Sequence, residues 1–275
     1  MTTGQQDYWD SVGADWQRRR PHRLWREFTD RQQTGLLTRW ATGWIGAGSR
    51  PDLLKTDLFD EVASRGIVPW LLASGANVTG IDVAPAIVAE AVARNPGLEA
   101  VVADVRSLPF ADASFDVVFS GSTLDHFESA ADIQTALGEL RRVLRPGGTL
   151  SLTLDNPANP LIWLRNGPLL GLLRRIGIVP YQVGATLRPR SLERSVQAAG
   201  LDVVETTAVM HCPRAIAVAL AGLMERASRS WQEAFLRQLH IWERLERWPT
   251  RWLTGHYVAV HAVAPRGCGV KPPLQ

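Results

Sequence analysis

Lysine and cysteine are nearly missing from this 275-residue chain. Lys55 and Lys271 are the only lysines, so the formal charge of +3 is carried almost wholly by arginine. Without a clustered basic stripe, the run Arg18-Arg19-Arg20 reads as a solvated helix face, and nucleic acid is not expected as a partner. The two cysteines, Cys212 and Cys268, stand far from any metal-ligand spacing, so neither a zinc site nor a disulfide framework is implied. The longest apolar run, 215–224, falls well short of the ~20 residues that a membrane span needs. No signal peptide opens the chain, and the expected location is the cytoplasm. Glycine is absent between Gly48 and Gly66.

What is present is an ordinary globular composition, 45% hydrophobic and 21% charged, in a length that suits one domain with helical additions. The organising stretch is 77–155, where three apolar segments each lead to an acid. Asn-Val-Thr-Gly-Ile-Asp ends at Asp82. Leu-Glu-Ala-Val-Val-Ala-Asp ends at Asp104. Ser-Phe-Asp-Val-Val-Phe-Ser ends at Ser120 and continues into Gly-Ser-Thr-Leu-Asp125-His126. Between the first two, 84–93 is apolar at helical spacing. Strand, helix and strand at short intervals predict right-handed parallel crossovers, with helices on both sheet faces. Ligands of such sheets bind outside the carboxyl ends of the strands. There Asp82 could take both hydroxyls of a ribose, and Asp104 could accept from an adenine amine.

The rest of the chain frames that core. Apolar residues at spacings of three and four predict helix over 7–46, interrupted at Pro21. Residues 131–144 predict an amphipathic helix closed by Arg145-Pro-Gly-Gly148, and 149–155 the strand after it. Its end, Asp155-Asn156-Pro157, points back to the crevice, where capping is the plainer role for either residue. An inserted helix is expected over 161–178, a helix capped by Ser191 and stopped by Gly200, and a sixth strand over 201–210. A helical pair over 214–248 and a last strand over 256–263 complete the chain.

In order and spacing, Gly80-Ile-Asp82, Ala103-Asp104-Val-Arg-Ser-Leu-Pro-Phe110, Phe115-Asp-Val-Val118 and Leu140-Arg-Arg-Val-Leu-Arg-Pro-Gly-Gly148 resemble the class I S-adenosylmethionine-dependent methyltransferases. The resemblance is dense over about 53–154. It implies an α/β, Rossmann-like fold: a seven-stranded, mostly parallel sheet whose closing strand runs antiparallel beside the sixth. It also implies a helical cap at 1–48, a core over 49–264 with insertions at about 160–178 and 214–248, and a tail from 265. The cofactor would be S-adenosyl-L-methionine, and the reaction methyl transfer to a small organic acceptor at O, N or C. Asp82, Asp104, Val105 and Ser120 fall among the cofactor-binding positions.

One departure stands out. The family's first strand ends in an acid and alternating glycines, whereas here Lys55 stands in the acid's place and Phe59 in glycine territory. Either the loop is rebuilt, with Asp57, Asp60 or Glu61 taking the cofactor's amino group, or the site has lost the cofactor. In the second case the chain would be a binding protein, and a third reading keeps the cofactor for non-methylating chemistry. Among the histidines His126, beside Asp125, is the best-placed base; His211 follows. Tyr8, Trp9, Trp16, Asn156, Tyr181 and His256 are candidates for the acceptor side, with the aromatics suited to a sulfonium cation. Each has a plain packing role as its alternative. No metal is expected, and a homodimer stays open.

Overall fold

The computed structural model describes Tyr8, Ser11 and residues 22–40, 50–175 and 183–266. Among the described residues seven strands pair in one sheet: β1 (Asp52–Lys55), β2 (Asn77–Asp82), β3 (Glu99–Val102), β4 (Phe115–Gly121), β5 (Leu144–Asp155), β6 (Asp202–Val209) and β7 (Tyr257–Val263). Their order across the sheet is β3-β2-β1-β4-β5-β7-β6. The first five run parallel, and β7 is inserted antiparallel between β5 and β6. Since the chain winds outward from β1 to β3 and then resumes on the other side at β4, strand order reverses between β1 and β4. A crevice opens outside the carboxyl ends of the strands at such a reversal.

Strand alternation decides which face each apolar residue serves. Leu53 pairs in register with Val117, and Leu54 with Val118. Leu53, Val117 and Phe119 join one core with Leu58, Leu71, Ile87 and Ala91. Leu54, Val118, Leu150 and Leu152 join the other, against Ile133, Leu137, Leu140, Leu192 and Val196. Helices therefore cover both faces, as parallel strands buried on both sides require. Those between β1 and β3 are α2 (Phe59–Ala63), α3 (Val68–Ala73) and α4 (Pro85–Arg94); α5 (Ala130–Val143) precedes β5. Each fully buried leucine contributes about 1.5–3 kcal/mol relative to exposure.

Four boundaries depart from the pattern in the sequence. Strand β5 begins at Leu144, directly after α5, and its pairing with β4 shifts register between Phe115 and Val117. The glycine pair is thus absorbed into an irregular strand start and makes no separate turn. The insertion expected as one helix is two, α6 (Pro160–Asn166) and α7 (Leu170–Arg175), broken at Gly167-Pro168. Helix α8 (Pro189–Ala198) is entered through Arg188, with Pro189 in its first turn, so Ser191 lies inside it and caps nothing. Proline's fixed φ and missing N–H suit that first turn. Before β7 the chain forms α9 (Arg214–Met224), α10 (Arg229–Ile241), a 3₁₀ turn (Trp242–Arg247) and α11 (Arg251–Thr254).

The N-terminal helix α1 (Arg23–Trp40) buries Leu24, Trp25, Phe28, Leu36, Leu37 and Trp40. Leu24, Trp25 and Phe28 pack with Met210, Ala217, Ala221, Leu236 and Leu239, so α1, α9 and α10 form one helical layer with its own core. That layer roofs the crevice.

Candidate active site

The loops after β1, β2 and β4 supply most of the acids. Asp82 closes β2 and is buried; its two oxygens accept from the Leu58 amide (3.1 Å) and the Ala84 amide (2.9 Å). Burial, with Asp57 nearby, pushes its carboxyl up to about 7. Asp104 lies two residues beyond β3 and is clamped by Arg106, whose Nη2 donates to Oδ2 at 2.7 Å. Asp82, Asp104, Val105, Val83 and Ile87 line one end of a cavity of about 220 Å³.

The glycine-free loop after β1 turns without any left-handed residue. Asp57 makes the turn itself, accepting from the Phe59 amide at 2.9 Å, and α2 starts there. Lys55 is buried, and its ammonium lies 3.4 Å from Glu61 and donates to the Asp57 carbonyl. Burial opposes the ammonium charge, but Glu61, Asp57 and Asp60 outweigh it and raise its pKa. Glu61 also accepts from the Ile67 and Val68 amides, both at 3.3 Å. Two glycines make room for this arrangement. At Gly66, with φ of +65°, a Cβ would meet Glu61 Oε2 at 1.9 Å; at Gly80 one would meet Leu58 at 2.6 Å. The glycines lost from the loop are thus needed beside it, where its side chains must fit.

Of the three acids proposed for the cofactor's amino group, the structure sets Glu61 apart, because Lys55 and two amides consume it and it does not line the cavity. Asp57 and Asp60 do line it. Burial opposes ionisation of Asp60, but Arg26 at 2.7 Å leads the groups that hold its carboxyl below the usual range. Ser120 is fully buried, accepting from the Thr56 hydroxyl at 2.9 Å, and it too lies behind the cavity.

Asp125 and His126 sit in a short 3₁₀ turn (Leu124–His126) after β4 and face the cavity. Asp125 Oδ2 accepts from the Asp155 amide at 3.2 Å. Its Oδ1 is buried with no hydrogen-bond partner among the described residues, and His126 Nε2 lies 3.8 Å away. Burial pushes this carboxyl up to about 6. An ionisable oxygen left unpaired in a buried position is costly and marks a place for a ligand.

The remaining histidine candidates are held elsewhere. His211 is buried, its ring nitrogens 2.8 Å from Thr254 Oγ1 and from the Ala208 carbonyl, and it does not reach the cavity. His256 is also behind the wall, where burial, Arg214 and Arg165 keep its imidazole neutral, well below the usual pKa. It accepts from Arg214 Nη1 at 2.7 Å and so holds that guanidinium against the cavity. Asn156 is fully buried and donates to the Trp252 and Gly255 carbonyls at 2.8 and 2.9 Å, a structural tie. Tyr8 is half-buried and is not among the lining residues; Trp9, Trp16 and Tyr181 lie outside the described residues.

The wall opposite the strand-end acids is formed by residues that the sequence alone did not single out as site residues. Trp25, Thr29, Gln32, Gln33 and Leu36 come from α1, Met210 and Arg214 from the start of the late helical layer, and Tyr257 from β7. Arg214 stacks its guanidinium 5.8 Å from the Trp25 ring centroid. The helical spacing of Trp25, Thr29, Gln32 and Leu36 was legible, but not which neighbours that stripe would meet.

Six aspartates (57, 60, 82, 104, 125 and 155) and two arginines (26 and 214) line the cavity, a balance that suits a cationic ligand. The comparisons with known proteins agree with this geometry. A family described as "Methyltransferase domain" matches residues 63–152. A demethylmenaquinone methyltransferase of Thermus thermophilus is 36% identical over 149 residues, covering 48% of this chain and 66% of that one. A malonyl-[acyl-carrier protein] O-methyltransferase of Enterobacter lignolyticus is 36% identical over 88 residues, covering 32% and 34%. The chain thus spans between a third and two thirds of the length of these curated relatives. A solved S-adenosylmethionine-dependent methyltransferase of Thermotoga maritima superposes with a TM-score of 0.58 at 13% identity, covering 94% and 98%. Residues 63–152 thus carry a methyltransferase domain, and the fold around them is that of the class I S-adenosylmethionine-dependent methyltransferases, whose cofactor is S-adenosyl-L-methionine. The acid-rich cavity fits that sulfonium and ammonium cation.

Proposed function

We propose that this protein transfers a methyl group from S-adenosylmethionine to a small organic acceptor. The observation that carries this reading is the continuity of the cavity: it runs from the strand-end acids Asp82 and Asp104, past Asp57, to Asp125 and His126, and ends against Trp25 and Tyr257. The bound cofactor supplies an electrophilic methyl group. The protein must align the acceptor, exclude water and remove a proton where the acceptor is a hydroxyl or protonated amine.

Asp125 and His126 are the pair for that proton. Ionised Asp125 accepts it on Oδ1, directly or with His126 between, and the raised pKa makes it a stronger base than an ordinary carboxylate. Helix α1 roofs the reacting centre, and Arg214, held by His256, orients the acceptor from the far wall. Calorimetric titration with S-adenosylmethionine and S-adenosylhomocysteine tests the cofactor site. Mass spectrometry of acceptors incubated with the protein tests transfer, which adds one methyl to the product.

The loop after β1 favours one second reading. Lys55 and Glu61 fill the base of the loop where glycine amides would approach the cofactor, so a scaffold without cofactor binding accounts for the same side chains. The titration separates them: no heat with either cofactor form selects the binding protein.

A further inference from the structure

The insertion between β5 and β6 presents a surface that methyl transfer leaves unused. Over 156–192 the sequence has five arginines (165, 174, 175, 188 and 190) and no aspartate or glutamate. On α6 and α7, Leu161 is 71% exposed, Trp163 55% and Leu172 57%. Isolated exposed leucines are common, but here two leucines and a tryptophan are exposed within twelve residues of one short insertion, making an apolar patch of it. The patch does not end with the insertion. Asn159, the N-cap of α6, donates to the Thr254 and Gly255 carbonyls at 3.2 and 3.1 Å, which fastens α6 to the end of α11. That neighbouring segment exposes Trp248 (60%) and Leu253 (55%). Arg175, Arg188, Arg190 and Arg247 in these two segments are exposed as well.

We propose that α6, α7 and the 248–253 segment seat this protein on an anionic lipid bilayer. The chemistry of both halves of the surface points there. Tryptophan and leucine partition into the boundary between headgroups and acyl chains, and the exposed arginines, Arg175 and Arg188 above all, meet anionic headgroups. An acidic protein partner would answer the arginines, but it gives no reason for leucines and tryptophans that enter a lipid interface. The surface is also coupled to the cavity. Arg165 and Asn166 of α6 both donate to Asp155 Oδ2, and Asp155 lines the cavity wall. An acceptor dissolved in the bilayer would therefore enter beside the docked surface. That assignment of acceptor class rests on the methyl-transfer reading; the docking itself does not.

The test is co-sedimentation of the full chain with vesicles of phosphatidylcholine alone and of phosphatidylcholine mixed with an equal amount of phosphatidylglycerol. The protein should bind the anionic vesicles, bind the neutral ones weakly, and lose affinity as salt rises. Leu161→Glu combined with Trp163→Glu should lower binding by about tenfold or more, as should Arg175→Glu combined with Arg190→Glu. Thermal melts and S-adenosylhomocysteine titration of each variant establish that it is folded. No binding to anionic vesicles would overturn the proposal, as would equal binding to neutral ones or unchanged binding of both folded variants. Capture of an acidic protein through this face with vesicles ignored would overturn it too. Vesicle binding that persists in a protein showing no cofactor heat would support the docking surface and bring down methyl transfer alone.

Discussion

The loops after β1 and β4 leave adjacent parallel strands and face the same cavity, yet they have spent their polar groups differently. After β1, Lys55 is matched by Glu61 and a carbonyl, Glu61 by two amides, and Asp57 by the Phe59 amide. After β4, Ser122 holds a left-handed conformation with φ of 52°, and one buried oxygen of Asp125 has no hydrogen-bond partner among the described residues. A non-glycine residue in that region and an orphaned carboxylate oxygen both cost stability. The comparison separates a loop whose charges are matched within the fold from one that leaves a buried carboxylate oxygen facing the cavity.

The sharpest way to break the comparison is to remove one charge from each loop. Lys55→Met leaves Glu61 buried without its cation, and breaking a buried pair from one side costs about 3–5 kcal/mol. Denaturant unfolding should show that loss; a change below about 1 kcal/mol would mean the pair is not holding the loop. Asp125→Asn removes a charge that has no hydrogen-bond donor on Oδ1, so stability should hold or rise slightly. Methyl transfer should instead fall by about 10²-fold or more, the range of a lost general base, with cofactor affinity little changed. In the wild type, kcat/KM should climb as pH rises through about 6, where Asp125 ionises, and this limb should vanish in the variant.

A smaller effect tests the nucleoside end. Asp82→Asn should weaken cofactor binding by about tenfold, because the amide replaces one carboxylate acceptor. Asparagine is the better probe than alanine, since it keeps one of the two acceptors that anchor the Leu58 and Ala84 amides, whereas alanine removes both and would disturb the β1 loop further. Equal affinity in wild type and variant, by calorimetry, would remove Asp82 from the cofactor site. The smallest effect lies away from both loops. Burial pushes Glu243 up from its ordinary 4.5 to about 7, while it accepts from the Met210 and His211 amides. A carboxyl raised on folding favours the folded state most below its unfolded pKa, and that contribution fades as pH rises through about 7. Stability should therefore decline from pH 4.5 toward 8 together with the contributions of Asp30, Asp82 and Asp125, and Glu243→Gln should make that decline shallower in melts across the range.

The sequence by itself determined the sheet and the acids at its edge. Strand alternation at 53–54 and 117–118, the helix of 130–143 and the strand-end positions of Asp82, Asp104 and Asp125 follow from local periodicity and chain order. These survive because a parallel α/β unit repeats one local rule, strand then crossover, and handedness leaves few arrangements. The missing glycines after β1 were visible too. Only the tertiary structure decided what replaced them, since whether Lys55 reaches solvent, cofactor or Glu61 depends on Gly66 and Gly80 leaving space for side chains from elsewhere. The same holds for the histidines. His211 and His256 share the chain's polar ends with His126, yet their rings are consumed by Ala208, Thr254 and Arg214, partners that become neighbours only when β6 and β7 pair. The far wall of the cavity shows the limit most clearly: Trp25, Arg214 and Tyr257 meet from three distant stretches, and no spacing within any one of them encodes that meeting.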